Sequence, residues 1–304
     1  MESTYVKIIK EICKEENIEL SCFSSDWVLM LKKEDKLRYI LAYQFDLNTA
    51  AAQAVCKDKC AAYDVLSYQG ISCVEHSIFM SAESGYLPKS GNYKYLLEIL
   101  DKYKKIVVKP NEGASGTNVY AVSAGAELEL AVGKIFKLSQ SLAVSPYYEI
   151  EKEFRIVVLN GEAKLIFSKE IPFVKGDGIS TLGELIAKSP HCTLTKEAQL
   201  INLSVVLEKD EIRKLGWKHN LAHGALPQIV TDKALIKGLS NLALQAAGAL
   251  NIKFASIDII CTKSDYKILE VNSGVMMEYF AASSSENYEI AKGIYKEAVL
   301  LMFS

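Results

Sequence analysis

Several signatures that would announce a function class are missing from this 304-residue sequence. Charge is nearly balanced: 35 lysines and arginines face 37 aspartates and glutamates, for a net −2, so no basic surface or tail points to a polyanion, and nucleic acid is excluded as the expected partner. No apolar run approaches the ~20 residues of a membrane span. The charged, amphipathic N-terminus MESTYVKIIKEICKEENIEL lacks the apolar stretch of a signal peptide. The expectation is a soluble, cytoplasmic protein with no membrane partner. The seven cysteines (Cys13, Cys22, Cys56, Cys60, Cys73, Cys192 and Cys261) contain no C-x-x-C pair and are odd in number, which suits free thiols in a reducing cytosol. Only Cys56 and Cys60 stand at a helical i, i+4 spacing, which leaves a zinc or redox pair open. No Gly-Lys-Ser/Thr of a Walker A loop occurs, and neither does the G-x-G-x-x-G fingerprint with its following acid, so a nicotinamide dehydrogenase is not expected. No Ser/His/Asp or Cys/His arrangement for nucleophilic catalysis is present either.

What the sequence does contain is ample apolar material. Half of the residues are hydrophobic, and the length permits one large domain or two to three lobes. Residues 4–16 carry helical spacing (Tyr5, Ile8, Ile9, Ile12). DWVLMLKKEDKLRYILAYQFDL reads as two strands joined by a charged turn. An Ala-rich helix follows from Asn48 to Gly70, then a short strand ISCVEH. A second alternation runs through helix NYKYLLEILDKY, strand KIVVKP, loop NEGASGTN, strand VYAV and helix GAELELAVGKIFKLSQ. EFRIVVLNGEAKLIFSKE is the clearest hairpin, with Asn160-Gly161 at its turn. A helix beginning at Thr231-Asp232, strands FASIDIICT and YKILEVNSG, and a terminal helix over 286–303 complete the pattern.

Two polar side chains interrupt the last strand. In KILEVNSG, Glu270 and Asn272 stand at i and i+2 and so share one face. The turn KSD makes the strand carrying Asp258 an antiparallel neighbour, so Asp258, Glu270 and Asn272 can converge on one point. Three such oxygen donors suit a hard cation that also binds phosphate oxygens; the alternative is a pair of buried acids satisfied by lysines or backbone. Upstream, Lys109 ends a strand and leads into Gly113, Ala114, Ser115 and Gly116, a loop whose small residues let backbone N–H groups approach phosphates. Taken alone, that loop reads as an ordinary glycine-containing hairpin loop.

The order of the pieces carries more than any one of them. Strand-Lys-Pro with its small-residue loop, SPYYEIEKEFRIVV, VKGDGISTLGELI, HNLAHGA, Asp258 and Glu270-x-Asn272 follow one another as in the ATP-grasp superfamily. Residues 48–280 resemble its glutathione synthetase/cyanophycin synthetase/RimK-like branch, and the GDG-x-x-T-x-x-E-L-I stretch is the most branch-specific element. The resemblance implies an α+β ATP-grasp fold: two α+β lobes gripping a nucleotide, preceded by a small N-terminal α/β lobe. The expected domains are 1–90 (N-terminal lobe), 91–170 (nucleotide-binding lobe) and 171–304 (C-terminal lobe with a metal site).

Carried over by position, the resemblance assigns Lys109 and Lys59, the latter in the pair Asp58-Lys59, to nucleotide phosphates, with Gly113, Ser115 and Gly116 in the covering loop. Pro146, Tyr147 and Tyr148 match the hinge that holds adenine through backbone groups, and Glu153 matches the ribose-binding glutamate. Asp258, Glu270 and Asn272 would hold a pair of magnesium ions, or manganese in their place. Arg155 and Lys169 lie where the branch has cations near an acyl phosphate, although either also reads as a solvated hairpin charge. Asn220, His223 and Gly224 match a loop near the phosphates and the acceptor. Departures are visible too: NSGVMM lacks a proline after the asparagine, and Ser256 stands where D-alanine ligases carry an arginine, so Arg155 or Lys169 would have to supply that charge.

The activity implied is an ADP-forming ligation of a carboxylate to an amine, an amino acid or a peptide, through an acyl phosphate. The alternatives are a kinase on the same fold and a catalytically silent ATP-binding module. Without an attached Mur-ligase-like or γ-glutamyl ligase domain, the chain is expected to work alone or as a homo-oligomer.

Overall fold

The computed structural model describes residues 3–85, 92–113, 116–189, 202–215, 219–263 and 265–304. Helix α1 (Thr4–Glu15) starts where the Ser3 hydroxyl accepts from the Val6 N–H, and it turns Tyr5, Ile8, Ile9 and Ile12 inward. Strands β1 (Glu19–Phe23), β2 (Val28–Lys33), β3 (Lys36–Leu41) and β4 (Gln44–Phe45) follow as one antiparallel sheet, two strands more than the hydrophobic pattern suggested.

The expected helix over 48–70 is two helices, α2 (Ala50–Lys57) and α3 (Lys59–Tyr68). Asp58 separates them: its backbone is extended and bridges to Glu112, while its carboxylate accepts from the Ala61 N–H at 2.8 Å. Cys56 and Cys60 thus lie on different helices, and both are free and buried. Burial pushes both thiols up to about 12. The expected strand ISCVEH forms only one bridge, Cys73 to Ile268; the strand is β5 (Ser77–Met80), just beyond it.

Helix α4 (Tyr93–Tyr103), strands β6 (Ile106–Pro110) and β7 (Tyr120–Val122), helix α5 (Gly125–Phe136) and strand β8 (Ser141–Pro146) build a sheet in the order β5-β8-β6-β7. Helices α4 and α5 cover it through Leu96, Ile99, Leu128 and Ile135. Strand β8, for which periodicity offered no sign, occupies an interior place there.

Strands β9 (Lys152–Leu159) and β10 (Glu162–Glu170) form the expected hairpin, with Asn160 (φ 49°) and Gly161 (φ 82°) in the left-handed region that a type I′ turn demands. The chain then passes through β11 (Phe173–Lys175), α6 (Leu182–Lys188), β12 (Ile212–Lys214), a one-turn helix at Leu221–His223 and β13 (Leu226–Ile229). Helix α7 (Lys233–Ala249) is capped by Asp232, and β14 (Phe254–Cys261), β15 (Tyr266–Asn272), α8 (Glu278–Ala281) and α9 (Ser285–Phe303) close the fold. The large sheet has the order β13-β10-β9-β14-β15, all antiparallel. A boundary at residue 170 therefore cuts through this sheet: β9 and β10 pair with β14 and with the C-terminal strands, not with the small sheet of 77–146. Likewise α2 and α3, placed by the reading in the first lobe, pack with Cys56 and Leu66 onto β15 and α7.

The two faces of the large sheet have different fates. Phe154, Ile156, Val158, Ile257 and Ile259 point to α7 and make a continuous apolar layer. On the opposite face, Val157, Leu159, Leu165, Phe167 and Phe254 pack under α1, α9 and the N-terminal sheet. Each fully buried side chain of this size contributes roughly 1.5–3 kcal/mol. That face stays apolar over only half of its length. Its other half is the polar surface described next.

Candidate active site

Pleating and register bring the charged residues together. Arg155 pairs with Asp258 across β9 and β14, and Asp258 pairs with Glu270 across β14 and β15, which gives one row of three charges over three strands. Asn272 lies two residues further along β15, opposite Ser256, on the same face. A register shift near Ile259 makes Leu269 an extra residue, so that Ile268 faces the α7 side while Glu270 and Asn272 face the other. Lys169 and Glu153 come from β10 and β9 on this face, and their charged atoms are 2.5 Å apart.

The contacts are tight. Arg155 donates from Nε and Nη2 to the two Asp258 oxygens, both at 2.8 Å, and Lys169 Nζ lies 3.0 Å from Asp258 Oδ2. Burial by itself would raise the Asp258 carboxyl, but Arg155 and then Lys169 pull it down to about 2. The Glu153 carboxyl is shifted upward, because burial and the nearby Asp258 outweigh the Lys169 contact. Strand β10 thus sets one ammonium between two acids.

From the other side, the break at Asp58 puts Lys59 at the start of α3. Its Nζ donates to the Gly113 carbonyl at 2.9 Å and lies 3.7 Å from Glu270 Oε1. Lys109, on β6, is fully enclosed. Burial lowers its ammonium to about 8, with Lys59 adding to that and Glu270 and Glu153 opposing it, so it faces the same cluster. Four cationic side chains (Lys59, Lys109, Arg155, Lys169) thereby meet three carboxylates (Glu153, Asp258, Glu270) between the two sheets.

The remaining expected residues surround this centre. Gly116 has φ 66°, and a Cβ there would stand 3.2 Å from Asn220 Nδ2, so Gly116 packs against the Asn220 side chain. Asn220 accepts from the Ala222 N–H at 2.9 Å. Ser115 and the side chain of His223 lie outside the described residues. Pro146 ends β8, and the Tyr147 N–H donates to the Lys105 carbonyl at 3.1 Å, with the Lys105 ammonium 3.7 Å from the Tyr147 ring centre. Tyr148, half-buried, follows in the connection between small and large sheets. Glu153 stands inside the cationic cluster rather than at that connection.

The GDG stretch has a structural explanation. A Cβ on Gly176 would fall 2.0 Å from the Glu208 carbonyl oxygen, and Gly178 has φ 79°. Asp177 accepts from the Ile179 and Ser180 N–H groups at 2.9 and 2.6 Å, and these bonds hold its carboxyl near 2. Thr181 and Glu184 form a capping box on α6.

Three polar residues were passed over in the sequence. Asn111, 1% exposed, accepts from the Cys60 N–H at 3.2 Å. His76 and His219 are buried, each with Nδ1 against a backbone carbonyl and Nε2 without a partner among the described residues. Alternation does not mark them, because all three stand in irregular chain between elements.

The comparisons agree with this architecture. Residues 200–296 match the RimK-like ATP-grasp domain family. A cyanophycin synthetase of Synechocystis sp. is 30% identical over 202 residues, which cover 58% of this chain and 23% of that protein. A bifunctional glutathione biosynthesis protein of Enterococcus faecalis is 24% identical over 262 residues, 72% of this chain and 34% of the relative. The chain thus spans between a quarter and a third, approximately, of the curated relatives it matches. Among solved structures, a bifunctional glutathione synthetase from Pasteurella multocida superposes with TM-score 0.59 at 17% identity, over 97% of this chain and 44% of that one. D-alanine–D-alanine ligase from Bacillus anthracis gives 0.55 at 18% identity, over 84% of this chain and 69% of the other. The chain has the ATP-grasp fold, and the segment that carries the Asp258, Glu270 and Asn272 strands matches the RimK-like ATP-grasp domain.

Proposed function

We propose that the protein is an ATP-dependent carboxylate–amine ligase that forms an amide through an acyl phosphate and releases ADP and phosphate. One observation carries this reading: the buried Lys59, Lys109, Arg155 and Lys169 converge on Asp258 and Glu270 in a cleft between two sheets. A surplus of positive charge in a water-poor cleft is what a triphosphate and an acyl phosphate require. The ATP-grasp fold supports ATP as the nucleotide; the B. anthracis ligase has been seen complexed with ATP.

Magnesium fits the donor set. Asp258 and Glu270 are register neighbours, Asn272 shares their face, and Asp258 is held ionised. No group of three His, Cys, Asp or Glu positioned to hold a metal occurs among the described residues; here the third donor is an amide. When bound, the metal would neutralise phosphate charge and align the transferring group.

The chain's own residues do the rest. Lys59 and Lys109 hold phosphate oxygens, and the burial of both side chains keeps water from the acyl phosphate. Arg155 and Lys169 stabilise the carbonyl oxygen as the tetrahedral intermediate forms, replacing the cation that Ser256 cannot supply. Glu153 orients Lys169. The substrates are a carboxylate and an amino acid or peptide amine. The test is ADP and phosphate release in a screen of amino acids and dipeptides: dependence on both a carboxylate and an amine supports the ligase. ADP without free phosphate identifies a kinase, and nucleotide binding without turnover a silent module.

A further inference from the structure

His219 is not used by the chemistry above, yet it sits at the junction of every part of the site. Its Nδ1 is 2.7 Å from the Lys169 backbone carbonyl. A carbonyl only accepts, so Nδ1 carries the hydrogen, and in the neutral ring Nε2 carries the lone pair. That lone pair is unsatisfied: the residue is 8% exposed and Nε2 has no partner among the described residues. Burying an acceptor without a hydrogen bond costs about 1–3 kcal/mol, a cost that a bound donor removes.

Position narrows what that donor is. The next residue, Asn220, meets Gly116 of the covering loop. His219 therefore stands at the end of β10, between the Lys169 backbone and the residue that meets Gly116. The ring is held on the backbone of Lys169, whose ammonium meets Glu153 and Asp258, with Arg155 on the same aspartate. Lys169 and Arg155 are committed to carboxylates, Lys169 to Glu153 and Asp258 and Arg155 to Asp258. Arginine cannot accept a proton, and the acids are engaged with cations. Of these groups, His219 Nε2 is the one that presents a lone pair without a partner.

We propose that His219 is the base that deprotonates the attacking amine, an assignment that rests on the ligase reading. The ammonium of the acceptor gives one proton to Nε2. The freed nitrogen lone pair forms the C–N bond at the acyl carbon, and the C–O bond to phosphorus-bearing oxygen breaks with its electron pair leaving on phosphate. The second nitrogen proton goes to that phosphate, and His219 returns its own proton to solvent on product release.

Hydroxylamine separates this role from the ligase reading itself. It is largely unprotonated near neutral pH, needs no base, and captures an acyl phosphate as a hydroxamate. With the carboxylate found in the screen, wild-type enzyme makes hydroxamate with hydroxylamine and amide with the amino-acid acceptor. His219→Asn keeps a donor for the Lys169 carbonyl and removes Nε2. The expected result is hydroxamate formation within about threefold of wild type and amide formation down by about 10²–10⁴-fold, the range of general base catalysis. Equal loss of both products, with an unchanged melting profile, overturns the proposal, as does an Asn variant with wild-type amide synthesis. Absence of hydroxamate from wild-type enzyme with every carboxylate overturns the ligase reading instead.

Discussion

Arg155 reaches across from β9 to hold both carboxylate oxygens of Asp258 on β14, each at 2.8 Å, with Lys169 on the second oxygen at 3.0 Å. This pair is the centre of the polar half-face.

Removing one partner exposes the cost of that arrangement. Arg155→Met leaves Asp258 with only Lys169 in a buried setting, and a loss of about 3–5 kcal/mol is expected. Urea denaturation of Arg155→Met, Asp258→Asn and the double variant measures it. Recovery of at least part of the loss in the double variant is the expected signature, and simple additivity contradicts the coupling.

Glu270→Gln keeps size and hydrogen-bonding capacity but removes the charge that Lys59 faces at 3.7 Å. Turnover should fall by more than about 10²-fold, as for loss of one preorganised electrostatic group, with a circular dichroism melt close to wild type. Full ADP formation by this variant sinks the metal assignment.

Lys109 links nucleotide affinity to pH. Its ammonium is depressed to about 8 by burial, and phosphate binds only the charged form well. Below that value the lysine is charged and affinity is complete. Above it, binding must first add a proton, and affinity falls by up to about tenfold per pH unit. Calorimetric ATP titrations on either side of the transition measure this, and Lys109→Arg, charged throughout, should flatten the dependence.

The GDG turn predicts a structural defect. Gly176→Ala puts a methyl 2.0 Å from the Glu208 carbonyl oxygen, in a contact made by backbone that cannot swing away. The lobe around Val174, Leu182, Ile186, Leu207 and Leu215 should open, giving faster proteolysis between 171 and 215. Cleavage at the wild-type rate refutes this.

Much of the site was legible because β structure repeats every two residues. Alternation placed Glu270 and Asn272 on one face, the short turn made Asp258 their neighbour, and Asn160-Gly161 set the hairpin. What was not legible depends on contacts distant in sequence. The break between α2 and α3 follows from Asp58 pairing with Glu112, and the position of β8 from partners on both sides. The expected domain edge at 170 crosses this sheet, because the β9–β10 hairpin is local, whereas its pairing with β14 spans about a hundred residues.

By itself, then, the sequence determined the elements and the oxygen donors of the last two strands, since propensity, turn chemistry and period act over a few residues. Only the tertiary structure decided which charges neutralise one another. Arg155, Lys169 and Glu153 look like hairpin charges until β14 is laid beside β9, where burial makes their pairing obligatory. The same packing left His219 Nε2 without a partner among the described residues, because that depends on what the fold brings to the end of β10.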